Sequence, residues 1–145
     1  YAHHDAAYRD VFAQNLTVME ADGTIDWWHD GKVLASENFD QRIREAMHEA
    51  DVIIILLSTA SLGSKYIREV ELRYAKEAAE RFSPAPLVVP ILLEKDCAWK
   101  SAELGHIQTL PGDGRGNIKA VDQWPSRRKA FNAVEQALRK LLAPK

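Results

Sequence analysis

Two short runs of purely apolar residues constrain the fold of this chain more than any other feature. Val52–Leu57 reads VIIILL, and Leu87–Leu93 reads LVVPILL. A strand that is apolar at every position, and not only at alternate ones, is typical of a parallel sheet covered by helices on both faces. We therefore expect both runs to be strands of such a sheet. Pro90 lacks a backbone donor, so it predicts a bulge or a sheet edge in the second run.

Apolar residues at helical spacing predict helices before, between and after these runs. The expected helices cover residues 6–20, 36–50 and about 65–81, and a last one starts near Pro125 or Ser126. That last helix is expected to bury Phe131, Val134, Leu138, Leu141 and Leu142. Weaker patterns predict strands over 24–29 and 118–121, a loop over 59–64 and a short helix over 102–110. Alternating strands and helices indicate an α/β fold with a parallel sheet.

Composition narrows the classes of partner. The 145 residues suffice for one domain with its own core. Nineteen basic and 21 acidic residues give a net charge of −2, which argues against direct binding of nucleic acid or an anionic membrane. The longest apolar run is far too short to span a membrane. The lone Cys97 cannot form an internal disulfide, and the histidines show no metal-ligand spacing, so we expect a cytoplasmic protein without a metal site.

The start of the sequence suggests a part of a larger protein. The chain begins at Tyr1 with no initiating Met, and no strand precedes the first helical pattern. We expect a single domain over residues 1–145, cut from a longer multidomain protein, with most of its first strand lying before Tyr1.

Ligands of open α/β sheets bind outside the carboxyl ends of the strands. Three loops are expected there, over residues 1–5, 30–36 and 58–64. None of them is a glycine-rich phosphate loop. The glycine cluster at 112–116 follows no strong strand and opens no helix, so we do not expect it to bind phosphate.

One carboxylate breaks the pattern of the helix over residues 65–81. Ile67, Val70, Tyr74 and Ala78 form an apolar stripe, and Glu71 falls in the middle of it. An unpaired buried carboxylate costs several kcal/mol, so Glu71 needs a partner, a raised pKa or a ligand. Two interpretations follow from the spacing alone. Glu71 either faces a ligand crevice, or lies at the edge of the stripe and reaches solvent or pairs with Arg42 or Arg68.

Several segments together resemble a TIR (Toll/interleukin-1 receptor) domain of the bacterial kind. The matching segments are YAHHD at 1–5, WHD at 28–30 with the loop to Phe39, ADVIIILLS at 50–58, SKYIREVEL at 64–72 and VVPI at 88–91. They occur in the family's order, from Tyr1 to about Trp99, and are specific as a set. The resemblance implies a flavodoxin-like, three-layer fold with a five-stranded parallel sheet.

The resemblance also implies a site. The glutamate that enzymatic family members need to cleave the nicotinamide–ribose bond of NAD+ corresponds to Glu71. NAD+ would be the substrate, with no further cofactor. The expected substrate-binding residues are Tyr1, Ala2, His3, Asp5, Asp30, Lys32, Ser58 and Tyr66. The BB loop, which mediates self-association in the family, corresponds to residues 30–39, with Asp30, Gly31, Lys32, Val33, Leu34 and Phe39 as its contact residues.

Two functions remain open at this point. The first is an NAD+ glycohydrolase activated by self-association under a sensor domain, as in bacterial defence against phage. The second is a TIR interaction or adaptor module without catalysis. Many members carry Trp four residues before the glutamate, whereas this chain has Ile67 there and its nearest aromatic residue, Tyr66, is five before. A phospho-acceptor domain is not expected, because the first apolar run ends in Ser58 and not in an acidic residue.

Overall fold

A computed structural model describes residues 1, 3–27, 45, 47–64, 73–81, 86–97 and 109–143. Its helices and strands follow the predicted alternation. They are α1 (Ala6–Ala21), β1 (Val52–Leu57), α2 (Thr59–Gly63), α3 (Arg73–Arg81), β2 (Leu87–Leu92) and α4 (Arg127–Leu142). Residues 45 and 47–49 are also helical, and short 3-10 turns cover His3–Asp5 and Val121–Gln123.

The two apolar runs pair as parallel strands, as predicted. Their register is continuous from Val52 opposite Leu87 to Leu57 opposite Leu92, so the expected bulge at Pro90 is absent. The backbone N–H groups of Leu87 and Leu93 donate to the β1 side, and that of Leu92 donates to Leu110 on the other side. Because N–H directions alternate along a strand, the donor missing at Pro90 belongs to the Leu110 side. The proline therefore costs the β1–β2 pair no hydrogen bond.

The expectation of a sheet edge at Pro90 is also wrong. Leu110 N–H donates to Pro90 O at 2.9 Å, and Leu92 N–H donates to Leu110 O at 2.8 Å. A third segment of chain thus lies along the far side of β2, opposite β1. In the described ranges, the parallel pairing consists of β1, β2 and this bridge. The fold is mixed α/β.

Both faces of the sheet are covered by apolar side chains. One face, with Leu56, Val89 and Ile91, packs against α1 and α4. The opposite face, with Ile53, Ile55 and Val88, packs against Ala75 of α3. Burial on both sides explains why neither strand alternates apolar with polar residues.

Helices α1 and α4 pack side by side and run in the same direction. Their apolar contact is the stacked pair Phe12 and Phe131, with ring centroids 5.1 Å apart. Arg128 in the first turn of α4 bonds to Asn15 in the middle of α1, and Arg139 near the end of α4 bonds to Asp22, just after α1. The order of these contacts along both helices defines the parallel arrangement.

Several weaker predictions need correction. The loop expected over 59–64 is the helix α2, and Thr24–Trp27 lies outside any strand because the Asp22 carboxylate turns the chain there by accepting from Thr24 N–H. At 118–121 there is an isolated bridge at Ile118 and then a 3-10 turn. Leu141 is 41% exposed, although Phe131, Val134 and Leu138 are buried as predicted.

Candidate functional site

The carboxyl ends of β1 and β2 point to the same edge of the sheet, because the strands are parallel. Ser58 follows β1 directly, and Glu94 follows β2 by two residues. Asp5, just before α1, contacts Ser58 at this edge. We call these residues and the segment 58–61 the edge cluster.

A buried carboxylate lies at the centre of the edge cluster. The Ser58 hydroxyl donates to Asp5 Oδ2 at 2.5 Å, and the two side chains are 0% and 1% exposed. Asp5 occupies the N-cap position of α1 but makes no capping bond to that helix. An Asp at this position ordinarily bonds the first N–H groups of its own helix. Here the carboxylate instead reaches a strand end 53 residues away.

Ser58 also begins α2 through a capping box. Its hydroxyl accepts from Ser61 N–H at 3.0 Å, and Ser61 Oγ accepts from Ser58 N–H at 2.8 Å. Ser61 Oγ donates in turn to Ser58 O at 3.1 Å. This reciprocal bonding satisfies the N–H groups of Ser58 and Ser61 and explains why a five-residue helix forms where a loop was expected.

The end of β2 is joined to the same segment. Glu94 Oε1 accepts from Thr59 N–H at 2.9 Å. One residue further on, Lys95 N–H donates to Asp122 Oδ1 at 3.0 Å, and Asp122 N–H donates to Leu93 O. The first turn of α2 is therefore held by acidic side chains from two directions, Asp5 and Glu94.

The predicted site residues fall partly inside the described structure. The structure brings Asp5 and Ser58 together. Tyr1 is half-buried, with the guanidinium carbon of Arg9 lying 5.4 Å from its ring centre, and His3 begins the 3-10 turn before α1. The remaining predicted residues lie outside the described residues; they are Ala2, Asp30, Gly31, Lys32, Val33, Leu34, Phe39, Tyr66 and Glu71.

The described part of the predicted 65–81 helix is helical, and its inner face is made of small residues. Ala75 and Ala78 of α3 are buried. Tyr74 is half-buried, its hydroxyl lies 3.2 Å from Nδ1 of His48, and burial raises the pKa of this phenol. The stripe predicted through Tyr74 and Ala78 therefore faces inward, as the spacing indicated.

The glycine cluster at 112–116 is organised by its own aspartate. Asp113 Oδ1 accepts from the N–H groups of Arg115 and Asn117, and these bonds, that from Arg115 first, lower the pKa of the Asp113 carboxyl. A shallow cavity of about 460 Å³ lies beside this loop, lined by Asp113, Arg115, Ile118, Lys119 and Gln123. Since the loop's donors already bind a carboxylate, they are not directed at a phosphate.

Two members of the edge cluster escaped the sequence analysis, Ser61 and Glu94. The signal for Ser61 is the hydroxyl pair Ser58 and Ser61 at capping-box spacing. The signal for Glu94 is a charged residue directly after an all-apolar run. Within the described ranges, no helix is long and apolar enough to cross a membrane, and no three His, Cys, Asp or Glu side chains are grouped as metal ligands would be.

The chain matches the sequence profile of the TIR domain family over residues 1–140. It therefore belongs to the TIR domain family. An uncharacterized protein of Sinorhizobium fredii (strain NBRC 101917 / NGR234), y4lF, is 32% identical over 139 residues, which are 96% of this chain and 41% of the relative. The chain thus spans about two fifths of that bacterial relative's length. No solved structure matches the chain significantly.

Proposed function

We propose that this TIR domain is an NAD+ glycohydrolase, in which Glu71 promotes cleavage of the bond between nicotinamide and ribose. Membership of the TIR domain family carries the proposal, because that family includes NAD+-cleaving enzymes. The resemblance of the segment SKYIREVEL at 64–72 to the family's motif assigns the role of their essential glutamate to Glu71. Products would be nicotinamide and either ADP-ribose or a cyclic isomer of it.

The chemistry needs few groups. Departure of nicotinamide leaves an oxocarbenium-like ribose, and a nearby carboxylate stabilises that cation and holds the ribose hydroxyls. Nicotinamide is bound as a cation and leaves as a neutral base, so its departure requires no general acid. One carboxylate can therefore suffice where glycosidases use two. Capture by water gives ADP-ribose, and capture by the substrate's own adenine or ribose gives a cyclic product.

The buried face of α3 supports the assignment of Glu71. Position 71 is four residues before Ala75 and seven before Ala78, both of which are buried. The same helical spacing predicts that Glu71 shares their inward side. A carboxylate on that side needs a cationic partner or a ligand, and the cationic transition state of this reaction supplies one.

Self-association is the second part of the proposal. The BB loop at residues 30–39 would complete the cleft of a neighbouring copy, so that clustering switches on turnover. The complete sheet would have five parallel strands in a flavodoxin-like fold. Because the S. fredii relative is more than twice as long as the matched region, a sensor domain in the same or a partner chain is a natural source of clustering. Cytoplasmic depletion of NAD+ would then serve defence against phage.

Ile67 favours the adaptor as the second candidate. Many members carry Trp at this position, four residues before the glutamate, and Tyr66 is one residue out of step with it. An aromatic ring that cannot stack on nicotinamide would leave a domain that assembles with other TIR domains without turnover.

Chromatography of NAD+ and free nicotinamide tests the proposal, with the domain held at high local density on beads. We expect turnover in the wild type and none above background in Glu71→Ala. Glu77→Ala is a matched control, since it removes a half-buried carboxylate of α3 that forms an ion pair with Arg73 at 3.5 Å in its own helix. Silence of folded, assembled wild type would favour the adaptor, and turnover by Glu71→Ala would refute the role of Glu71.

A further inference from the structure

The Asp5 carboxylate takes no part in the chemistry proposed above, although it is the most buried acidic side chain described. Its Oδ2 atom and the Ser58 hydroxyl bond to each other, and neither residue presents appreciable surface to solvent. In this arrangement neither side chain can bond to a dissolved dinucleotide. A role for the pair at the carboxyl edge of the sheet must therefore act through other residues.

The geometry at Ser58 gives such a route. A serine hydroxyl has one proton to donate and lone pairs with which to accept. The Asp5 carboxylate only accepts when ionised, so it fixes the hydroxyl proton on its own side. The lone pairs then remain directed at Ser61 N–H, 3.0 Å away, in the first turn of α2. Asp5 thus orients the cap of a helix to which it does not belong.

We propose that Asp5 is a positioning residue which, through Ser58, fixes the segment 58–64, the described segment that precedes Glu71 in the sequence. The inference rests on the proposed function, since it assigns Asp5 a part in NAD+ turnover. It changes the role expected for Asp5 and Ser58 from contact with the substrate to placement of the segment 58–64.

Rates per folded molecule on beads provide the first test. A catalytic group displaced by about 1 Å can lose about a hundredfold in rate, so we expect Asp5→Ala and Ser58→Ala each to lower kcat about 10- to 100-fold. KM should change less than about threefold, because substrate contacts remain. Ser58→Thr keeps the hydroxyl and should retain kcat within about threefold of wild type.

The double variant is the sharper test. If Asp5 acts through Ser58, Asp5→Ala with Ser58→Ala should lose no more than about twofold beyond the worse single variant. Independent contacts with NAD+ would instead multiply the losses and raise KM, and that result would overturn the inference. Asp5→Asn covers the case in which Asp5→Ala does not fold, because it keeps the shape and one acceptor. Its kcat should fall about 3- to 10-fold for loss of the charged acceptor, and an unchanged kcat would overturn the inference.

Amide exchange separates positioning from general destabilisation. Ser61 N–H and Leu62 N–H bond to Ser58, so their exchange reports on this cap. We expect Asp5→Ala to speed exchange across 58–64, whereas Asn15→Ala, which removes a buried polar side chain of α1 remote from this edge, should change neither that exchange nor kcat. Equal behaviour of the two variants would overturn the inference. Absence of turnover in wild type would instead identify failure of the proposed function.

Discussion

Two groups of polar side chains with buried members, the edge cluster and the contact between α1 and α4, do different things in this domain. In the edge cluster, a carboxylate, two serines and a glutamate join three chain segments at the carboxyl edge of the sheet. Between α1 and α4, the buried Asn15 bonds to Asn132, Glu135 and Arg128 at 2.9 to 3.0 Å. The first group fixes loops where ligands bind in α/β folds, and the second fixes two helices against each other.

The difference lies in what surrounds each group. Asn132 and Arg128, two of the partners of Asn15, are exposed, and Glu135 keeps 14% of its side chain exposed, so water can replace a lost bond. Asp5, Ser58 and Ser61 are all fully buried, and hydrogen bonds join Asp5 to Ser58 and Ser58 to Ser61. Burial of a polar residue is therefore no evidence of function in itself. Its position at the end of a strand, and its dependence on neighbours that water cannot replace, are the more informative properties.

The largest effect should come from the apolar contact beneath the α1–α4 network. Phe131 is fully buried and stacks on Phe12. Phe131→Ala should lower the free energy of unfolding by about 3–5 kcal/mol, because it removes a large buried side chain and leaves a cavity. Thermal and denaturant unfolding measure the loss. If kcat per folded molecule also fell, the separation between the helix pair and the edge cluster would be wrong.

Ser61→Ala tests the edge cluster in the same way. It leaves the buried N–H of Ser58 without its acceptor, so the free energy of unfolding should fall by about 1–3 kcal/mol. Unlike Phe131→Ala, this variant should also lower kcat, since it disturbs the start of α2. Denaturant titration and bead kinetics on one preparation check both expectations. Full activity in a destabilised Ser61→Ala would place the cap outside the catalytic machinery.

Asn15→Ala should lower the free energy of unfolding by less, about 1 kcal/mol, because the charged and amide partners of Asn15 can bond to water instead. Double-mutant analysis with Asn132→Ala would report the direct coupling across the helix pair. We expect unchanged kcat per folded molecule. A loss of more than about 3 kcal/mol in the free energy of unfolding would mean that water cannot replace the bonds of this network, as in the edge cluster.

The partly exposed pair of Asp22 and Arg139 should have the smallest effect, which is detected through the pH dependence of stability. Hydrogen bonds from Thr24 and then Arg139 lower the pKa of Asp22 below its ordinary value. A group whose pKa is lowered by folding stabilises the fold above its unfolded pKa, so this contribution is complete above about pH 4 and is lost as pH falls through the folded pKa. Asp22→Asn should remove this part of the acid sensitivity while changing Tm at pH 7 by less than about 3 °C. Unfolding midpoints at pH 3 and pH 7 give the comparison, and an unaltered acid slope would contradict it.

Long periodic patterns made most of the fold predictable. β1 has the predicted bounds, and β2 ends one residue early. α4 begins at Arg127, next to its predicted start near Pro125 or Ser126, because the Ser126 hydroxyl accepts from Lys129 N–H and caps the helix. α2 was missed since five residues carry no helical period and only the capping pattern reveals them. The prediction that Leu141 is buried was wrong because the apolar stripe of α4 extends beyond the end of the neighbouring helix α1 at Ala21.

The sequence predicts where the candidate site lies in the fold, but it does not predict which of its side chains contact each other. Strand ends predict that Ser58 and the loop over 1–5, which contains Asp5, lie at the carboxyl edge, and the resemblance assigns both residues to the site. Their hydrogen bond joins residues 53 apart, and no local rule pairs a particular carboxylate with a particular hydroxyl at that separation. Glu94 bonding to Thr59 N–H is another contact of this long-range kind. The roles of Glu71 and the BB loop remain predictions.

The parallel course of α1 and α4 determines where a laboratory tether can be placed. α1 begins at the carboxyl edge, and α4 runs beside it in the same direction for 16 residues, about 24 Å of helix. A purification tag or surface linker fused after Leu142 would therefore leave the end of α4 that points away from the carboxyl edge of the sheet. Molecules immobilised this way keep that edge turned away from the bead surface, which is the orientation that enzyme assays on beads require.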